Sequence, residues 1–111
     1  MNVVRYEIYL ANLDLTLGAE IHKTRPVVVI SQDAMNHHLD AVMICPLTTT
    51  IHRSWRSRIQ VSCSGRPSEI AVDQIRTIRK IRLIKRLDKL SRDRAEELRQ
   101  CLDDMYGSQS L

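Results

Sequence analysis

The chain contains short segments in which apolar residues either alternate with polar ones or stand in unbroken blocks, and both patterns predict β-strands. Alternation over residues 7–13 is typical of a half-buried strand. The β-branched block at 27–30 favours a strand covered on both faces, and Pro26 fits only its start because proline has no N–H to donate. Further strands are predicted at residues 41–47, 58–62, 69–74 and 84–90.

Prolines, glycines and polar clusters predict how these strands are joined. Residues 14–20 form a loop, and residues 79–83 form a short helical or irregular piece. Pro46, near the end of its strand, requires an edge, a bulge or a break in the pairing. Gly65 and Pro67 supply the chain reversal between the strands at 58–62 and 69–74.

Helical periodicity is confined to two places. A short helix is predicted at about 34–37, with Ser31 or Asp33 as its N-cap. The one long helix begins after Ser91, a credible N-cap, and runs to about Tyr106. Its apolar stripe consists of Ala95, Leu98, Cys101, Leu102 and Met105.

Many short strands closed by one helix predict a mainly β fold with some α (α+β), a small antiparallel barrel with helices packed on it. The 111 residues form a single domain, 1–111, of which about 107–111 are a flexible tail. A parallel sheet is not predicted, because strands and helices do not alternate along the chain.

Composition excludes several classes of protein. With 43% apolar and 27% charged residues the chain is globular rather than disordered. It has no apolar run of about 20 residues and no secretory signal, so we expect a cytoplasmic protein without membrane contact. Three distant cysteines predict buried free thiols, and the spacing of His37, His38 and His52 does not favour metal binding. No cofactor is expected.

Positive charge is concentrated late in the chain. Residues 76–100 carry ten Lys/Arg against four Asp/Glu, whereas the net charge of the whole chain is +4. Aliphatic residues alternate with the cations over 76–89, so this segment can bury the former and project the latter toward a polyanion such as nucleic acid. An acidic protein partner, or a basic face that only meets water, remains an alternative.

Four segments, in the same order and spacing, resemble the MazF/PemK family of toxin endoribonucleases from type II toxin–antitoxin modules: NLDLTLGAEIHKTRPVVVISQD, CPLTTT, AVDQIRTI and KRLDKLS. This chain departs from two motifs of the family. The motif R-G-[DE] appears as Arg5-Tyr6-Glu7, and the motif D-P-T appears as Asp14-Leu15-Thr16. The resemblance implies an SH3-like barrel, a homodimer and a cognate antitoxin. It also implies metal-independent cleavage of single-stranded RNA to 2′,3′-cyclic phosphate and 5′-hydroxyl ends.

The resemblance further implies that Arg25 and Thr48 are the catalytic residues. Attack of a ribose 2′-hydroxyl on its phosphate builds negative charge, which a planar, permanently charged guanidinium can stabilise. Thr48 offers a hydroxyl that can donate to a phosphate oxygen. From position alone, a solvated strand end remains the alternative for Arg25 and a turn residue the alternative for Thr48.

Several further residues are candidates for the same chemistry or for binding RNA. Glu20 is a tentative general base, and the proton shuttle stays unassigned because no carboxylate–histidine pair stands out in sequence. Trp55 lies among arginines, as in surfaces that stack single-stranded bases, although a structural role is as plausible. Asp73 and Gln74 are suited to reading base edges and Arg76 to holding a phosphate, unless Asp73 pairs with Arg76. The predicted RNA-binding residues are His22, Lys23, Thr49, Trp55, Asp73, Gln74 and Arg76.

Two other functions fit a small barrel of this kind. One is a gyrase-directed toxin like those of the CcdB family, although the C-terminal GSQSL lacks that family's tryptophan-glycine-isoleucine ending. The other is a nucleic-acid-binding barrel without activity. The joint presence of Arg25 and Thr48 favours the nuclease.

Overall fold

A computed structural model describes residues 1–13 and 24–107 of the chain. The loop predicted at 14–20 and the tail residues 108–111 lie outside the described residues, as do Glu20, His22 and Lys23. The strands are β1 (Glu7–Asn12), β2 (Thr24–Val29), β3 (Ala41–Thr48), β4 (Arg58–Cys63), β5 (Arg66–Ala71), β6 (Arg76–Arg79) and β7 (Leu83–Lys89). The helices are α1 (Asp33–His38) and α2 (Arg92–Tyr106), with 3₁₀ turns at Val72–Gln74 and Lys80–Arg82.

The strands form one curled antiparallel sheet, a half-barrel of order β4-β5-β3-β2-β1-β7 in which β6 also pairs with β3. β3 is the central strand. Residues 41–44 of β3 pair with β6, whereas Leu47 and Thr48 pair with β5, so Pro46 lies where the pairing changes partner. This is the break in pairing that Pro46 predicts, and the mainly β fold with a C-terminal helix is confirmed.

Alternate residues of the central strands pack into two apolar clusters, one on each face of the sheet. Ile8, Val28 and Cys45 belong to the cluster that α2 covers through its fully buried Leu98. Tyr9 and Val27 belong to the cluster on the opposite face. The prediction that β2 is covered on both faces is therefore confirmed.

Helix α2 has the predicted bounds and cap. The Ser91 side chain accepts the N–H of Arg94 at 3.2 Å, and the apolar stripe faces the core except for the exposed Met105 at its outer edge. Cys45 and Cys63 are buried free thiols as predicted, and burial raises the pKa of Cys45 to about 12. Cys101 is only partly buried.

The turn between β4 and β5 differs from its prediction. Ser64 and Gly65, at φ 51° and 81°, form a two-residue hairpin loop with both residues left-handed. Pro67 therefore lies inside β5 opposite Ser62, and β5 starts and ends three residues before the predicted 69–74 strand.

Other local predictions were wrong. The N-cap of α1 is Gln32 with no side-chain bond, because the Ser31 hydroxyl bonds Asn36 and Asp33 accepts the Arg5 N–H at 2.7 Å. β6 was not predicted, since its four residues gain order only by pairing with β3. Pro26 is the third residue of β2, in the part of that strand that pairs with β1 but not with β3.

The basic segment also buries less than predicted. Ile78 and Leu83 are buried, but Ile81 and Ile84 remain 81% and 49% exposed. The described part of the chain contains no helix long and apolar enough to cross a membrane.

Candidate active site

The register of the sheet places Arg25 and Thr48 side by side. β2 and β3 pair antiparallel up to Val27 opposite Pro46, and two residues further along each strand bring Arg25 level with Thr48. Neighbouring strands lie about 4.8 Å apart and residues in one cross-strand row project from the same face. Both side chains therefore emerge on the face of the sheet opposite α2.

The two residues line one small hollow of about 120 Å³. Arg25 is exposed and Thr48 is half-buried. The Thr48 Oγ1 accepts the backbone N–H of Thr50 at 3.1 Å, which orients the hydroxyl and leaves its proton free to donate elsewhere. The residues lining the hollow are Arg25, Pro46, Leu47, Thr48, His52, Arg58, Ala71 and Gln74.

The row of side chains continues from Thr48 to a fully buried carboxylate. Glu69 of β5 lies opposite Thr48 and is bonded by three neighbours. Its Oε1 accepts the His52 backbone N–H at 2.6 Å and Gln60 Nε2 at 2.7 Å. Its Oε2 accepts Arg58 Nη1 at 2.7 Å and lies 3.0 Å from His52 Nδ1.

These contacts keep Glu69 ionised. Burial alone would raise the pKa of Glu69, but the bonds from the His52 backbone, Gln60, the His52 ring and Arg58 outweigh it and lower the pKa to about 2. A buried charge is tolerated only when it is paired and hydrogen-bonded in this way.

Arg58 joins this carboxylate to a second one. Its side chain is only 5% exposed, and its Nε donates to Asp73 Oδ1 at 2.9 Å while Nη1 donates to Glu69. The Asp73 carboxyl loses solvent on folding, which would raise its pKa, yet bonds from Arg58 and Ser57 lower it below its ordinary value. Asp73 thus pairs with Arg58, and not with Arg76 as the alternative interpretation held.

An aromatic ring lies beside the hollow. Trp55 stacks on His52 with ring centroids 4.0 Å apart and an interplanar angle of 23°, and the Arg58 guanidinium lies 4.7 Å from the indole centroid. Trp55 nevertheless stays 47% exposed. Its exposed surface can contact a further planar group.

The other predicted RNA-binding residues are spread around this arrangement. Gln74 lines the hollow and is exposed. Thr49 is exposed beside Thr48, and Arg76 is half-buried on β6, where it pairs with Ile44. His22, Lys23 and the tentative base Glu20 lie outside the described residues.

Sequence reasoning missed His52, Arg58 and Glu69. They are 6, 11 and 17 residues apart along the chain, so no local motif contains them. The one available signal was a glutamate in an otherwise core-facing strand, which requires a buried partner. Among the described residues, no cluster of three or more His, Cys, Asp and Glu is placed to hold a metal ion.

Comparisons with known proteins match nearly the whole chain to MazF-like toxins. A family model described as PemK-like, MazF-like toxin of type II toxin-antitoxin system matches residues 4–106. The Endoribonuclease MazF of Staphylococcus saprophyticus subsp. saprophyticus is 30% identical over 112 residues, an alignment covering 96% of this chain and 93% of the relative.

Solved structures share the fold. The Mycobacterium tuberculosis toxin MazF-mt6 is 23% identical with a TM-score of 0.77, covering 94% of this chain and 99% of the other. A MazE-MazF structure from Deinococcus radiodurans (Form-II) matches at 20% identity and a TM-score of 0.83, covering 98% of this chain and 99% of the other.

Proposed function

Because the chain belongs to the PemK-like, MazF-like toxin family of type II toxin–antitoxin systems, we propose a specific chemistry for its endoribonuclease activity, with Arg25 and Thr48 as its catalytic pair. The 2′-hydroxyl of a single-stranded RNA attacks its own phosphate, leaving a 2′,3′-cyclic phosphate and a 5′-hydroxyl. The reaction needs no metal ion. The proposed substrate is messenger RNA, and we therefore expect the protein to act in the cytoplasm.

The observation that carries this proposal is the convergence of Arg25 and Thr48 at one hollow, although they are distant along the chain. The Arg25 guanidinium can bind two phosphate oxygens at once and oppose the charge that develops on them. The oriented Thr48 hydroxyl can donate a third hydrogen bond. A single-stranded RNA can present the phosphate of an unstacked nucleotide there.

Two neighbouring residues support single-stranded RNA as the substrate. The exposed Trp55 ring offers a stacking surface beside the hollow, and Gln74 supplies an amide for a base edge. The family match favours this nuclease over the CcdB-like gyrase poison and over the inactive nucleic-acid-binding barrel.

We also propose two protein partners. The MazE-MazF structures from Deinococcus radiodurans, and a mycobacterial endoribonuclease solved with its cognate antitoxin, support a cognate antitoxin for this chain. The basic β6–β7 region, residues 76–89, suits an acidic, partly apolar antitoxin segment. A second copy of the chain is the other partner, and the exposed Ile81 and Ile84 give such a homodimer apolar surface to bury.

The test of the chemistry is incubation of purified protein with a long single-stranded RNA in EDTA, with the ends mapped by primer extension and chemical analysis. We expect discrete cuts with cyclic-phosphate ends. Arg25→Ala should lower the rate by about 10²-fold or more, the loss typical of removing one preorganised charge-stabilising donor, and Thr48→Ala should also lower it.

Arg66→Ala is the matched control, because Arg66 is an exposed arginine in the β4–β5 hairpin away from the hollow. It should cleave at the wild-type rate. Intact RNA after incubation with folded wild-type protein, or full activity of Arg25→Ala, would contradict the proposal.

A further inference from the structure

The buried Glu69 carboxylate contacts His52 at two points, the backbone and the ring. Its Oε1 accepts the His52 backbone N–H, and its Oε2 lies at hydrogen-bonding distance from Nδ1 of the same residue. Oε2 also accepts Arg58 Nη1 at 2.7 Å, so the carboxylate has a charged partner besides the ring. The double contact fixes both the position of the His52 backbone and the orientation of its imidazole.

The charge of Glu69 also decides which ring nitrogen carries the proton. An ionised carboxylate can only accept, so His52 Nδ1 must be the donor, and the lone pair of the neutral ring then lies on Nε2. Arg58 Nη1 lies 3.2 Å from Nδ1, but its N–H is satisfied by Glu69 at the shorter distance of 2.7 Å. Among the described residues, Nε2 has no hydrogen-bonding partner.

The imidazole is accessible from the hollow that holds the catalytic pair. His52 lines the same hollow as Arg25 and Thr48, and its side chain is 30% exposed. Trp55 covers one face of the ring and so restricts its rotation. An oriented imidazole whose Nε2 accepts no bond from the described residues, and which lines the same hollow as Arg25, has the placement that general-base catalysis requires.

We propose that His52 is a further catalytic residue, the general base that takes the proton from the attacking 2′-hydroxyl, and that Glu69 is its positioning residue. This inference rests on the RNA-cleaving function proposed above. As the 2′-oxygen forms its bond to phosphorus, its proton moves to His52 Nε2, and the bond from phosphorus to the 5′-oxygen breaks. The leaving 5′-oxygen takes a proton from water and the imidazolium returns its proton to solvent, so the protein ends in its starting state.

The surrounding charges suit an imidazolium that forms during the reaction. Glu69 and Asp73 are two carboxylates against the one guanidinium of Arg58, so the cluster holds an excess negative charge that a protonated His52 balances. Arg25, which lines the same hollow, has the opposite task of binding the phosphate. The arrangement resembles the carboxylate–histidine pairs that orient a base and stabilise its protonated form.

The experiment compares His52→Ala, His52→Asn and wild type on a long single-stranded RNA in EDTA. Asn retains a side-chain donor for Glu69 but has no nitrogen that can accept the proton. Both variants should lose about 10²-fold or more in cleavage rate, the usual contribution of a general base. His37→Ala is the matched control, because His37 is exposed on α1 near the opposite end of β3 and should cleave at the wild-type rate.

Added imidazole separates proton transfer from a structural role. It should restore activity to His52→Ala by roughly tenfold, because the small molecule replaces the missing base, and it should have no effect on Arg25→Ala. Removing Glu69 as well, in His52→Ala/Glu69→Gln, should cost little beyond His52→Ala alone, since residues that act as one unit are not additive. Thermal melts of each variant report whether the fold is retained.

The outcomes distinguish the inference from the function on which it rests. Wild-type cleavage that persists at full rate in His52→Ala, or a folded His52→Ala that imidazole does not rescue, would overturn the role of His52 and leave the nuclease intact. Failure of the wild-type protein to cleave would overturn the proposed function and this inference with it.

Discussion

The Glu69 carboxylate, fully buried under the hollow, makes the stability of the protein depend on acid. Its pKa falls from an ordinary 4.5 to about 2 on folding, so its stabilising effect is complete above pH 4.5 and is lost as the pH falls toward 2. Replacing it by Gln, which leaves Arg58 without this partner, should cost about 3 kcal/mol at pH 7. Urea unfolding of wild type and Glu69→Gln at pH 7 and pH 3 measures the effect.

The difference between the two proteins should be smaller at pH 3 than at pH 7. An equal difference at both pH values would show that the Glu69 charge has no part in it. Glu97→Gln is the surface control, because the Glu97–Arg94 pair on α2 is about half exposed on both sides. Its cost should stay within about 0.5 kcal/mol at either pH.

Single residues differed in how far the sequence revealed them. The resemblance to the family singled out Arg25 and Thr48, and their placement at one surface was predictable because each stands at a strand end. The cluster of His52, Arg58 and Glu69 was not, because it exists only after a loop and a hairpin bring three distant positions together. Histidines in a loop give no signal of their own when the partner lies on another strand.

Tyr6 illustrates a different kind of departure. It stands where the family motif has glycine, and its φ of 67° lies in the left-handed region that glycine favours. Backbone bonds on both sides hold it there, from its N–H to the Val29 carbonyl at 2.7 Å and from the Leu90 N–H to its own carbonyl at 3.0 Å. The motif thus records a backbone conformation, and this chain keeps that conformation with a bulkier residue.

Among the secondary-structure elements, the β4–β5 hairpin depends on the conformation of its glycine. A Cβ added to Gly65 would meet no atom within 4 Å, so any cost of substitution comes from its φ of 81° alone. Gly65→Ala should destabilise the protein by about 1 kcal/mol, and Gly65→Asn by less, because Asn tolerates left-handed conformations better. Chemical denaturation of the two variants measures the difference.

Because the substitution is made at one position, Asn serves as the control for Ala. Equal destabilisation by both residues would mean that the hairpin does not impose the left-handed conformation. The hairpin matters for the site, since it sets the register that places Gln60 and Arg58 of β4 against β5.

Elements with a strong internal pattern were predictable, and those defined by their neighbours were not. α2 was predictable because it is long, has an N-cap and carries an apolar stripe. β2 was predictable because it contains a continuous β-branched block. β5 was displaced by three residues because Gly65 and Pro67 both signal a turn, and only the two-residue loop makes one. β6 has four residues and no apolar alternation, so it forms only because β3 offers it a free edge.

For the whole molecule, two isoleucines in the basic β6–β7 region, Ile81 and Ile84, leave apolar surface exposed in a single copy. Burying them in the proposed homodimer would remove apolar surface from water and place the surrounding cations along one continuous face. Ile81→Asp should therefore weaken the dimer by about tenfold or more in Kd, as expected for a charge placed in a buried contact. Sedimentation velocity over a range of protein concentrations measures it.

Met105→Asp is the matched control, because Met105 is 36% exposed near the end of α2, away from β6 and β7. It should leave the association unchanged. A monomeric wild type, or a dimer equally stable in Ile81→Asp, would mean that Ile81 and Ile84 do not form the interface.

Pro46 has a consequence for control of the reaction. On one side of it β3 belongs to the sheet that carries Arg25, and on the other side β3 joins β5 and β4, which carry Glu69 and Arg58. If one set of strands rotated against the other at Pro46, the Arg25 guanidinium would move away from the Thr48 hydroxyl and the His52 imidazole. An inhibitor that favoured such a rotation would stop RNA cleavage without occupying the hollow.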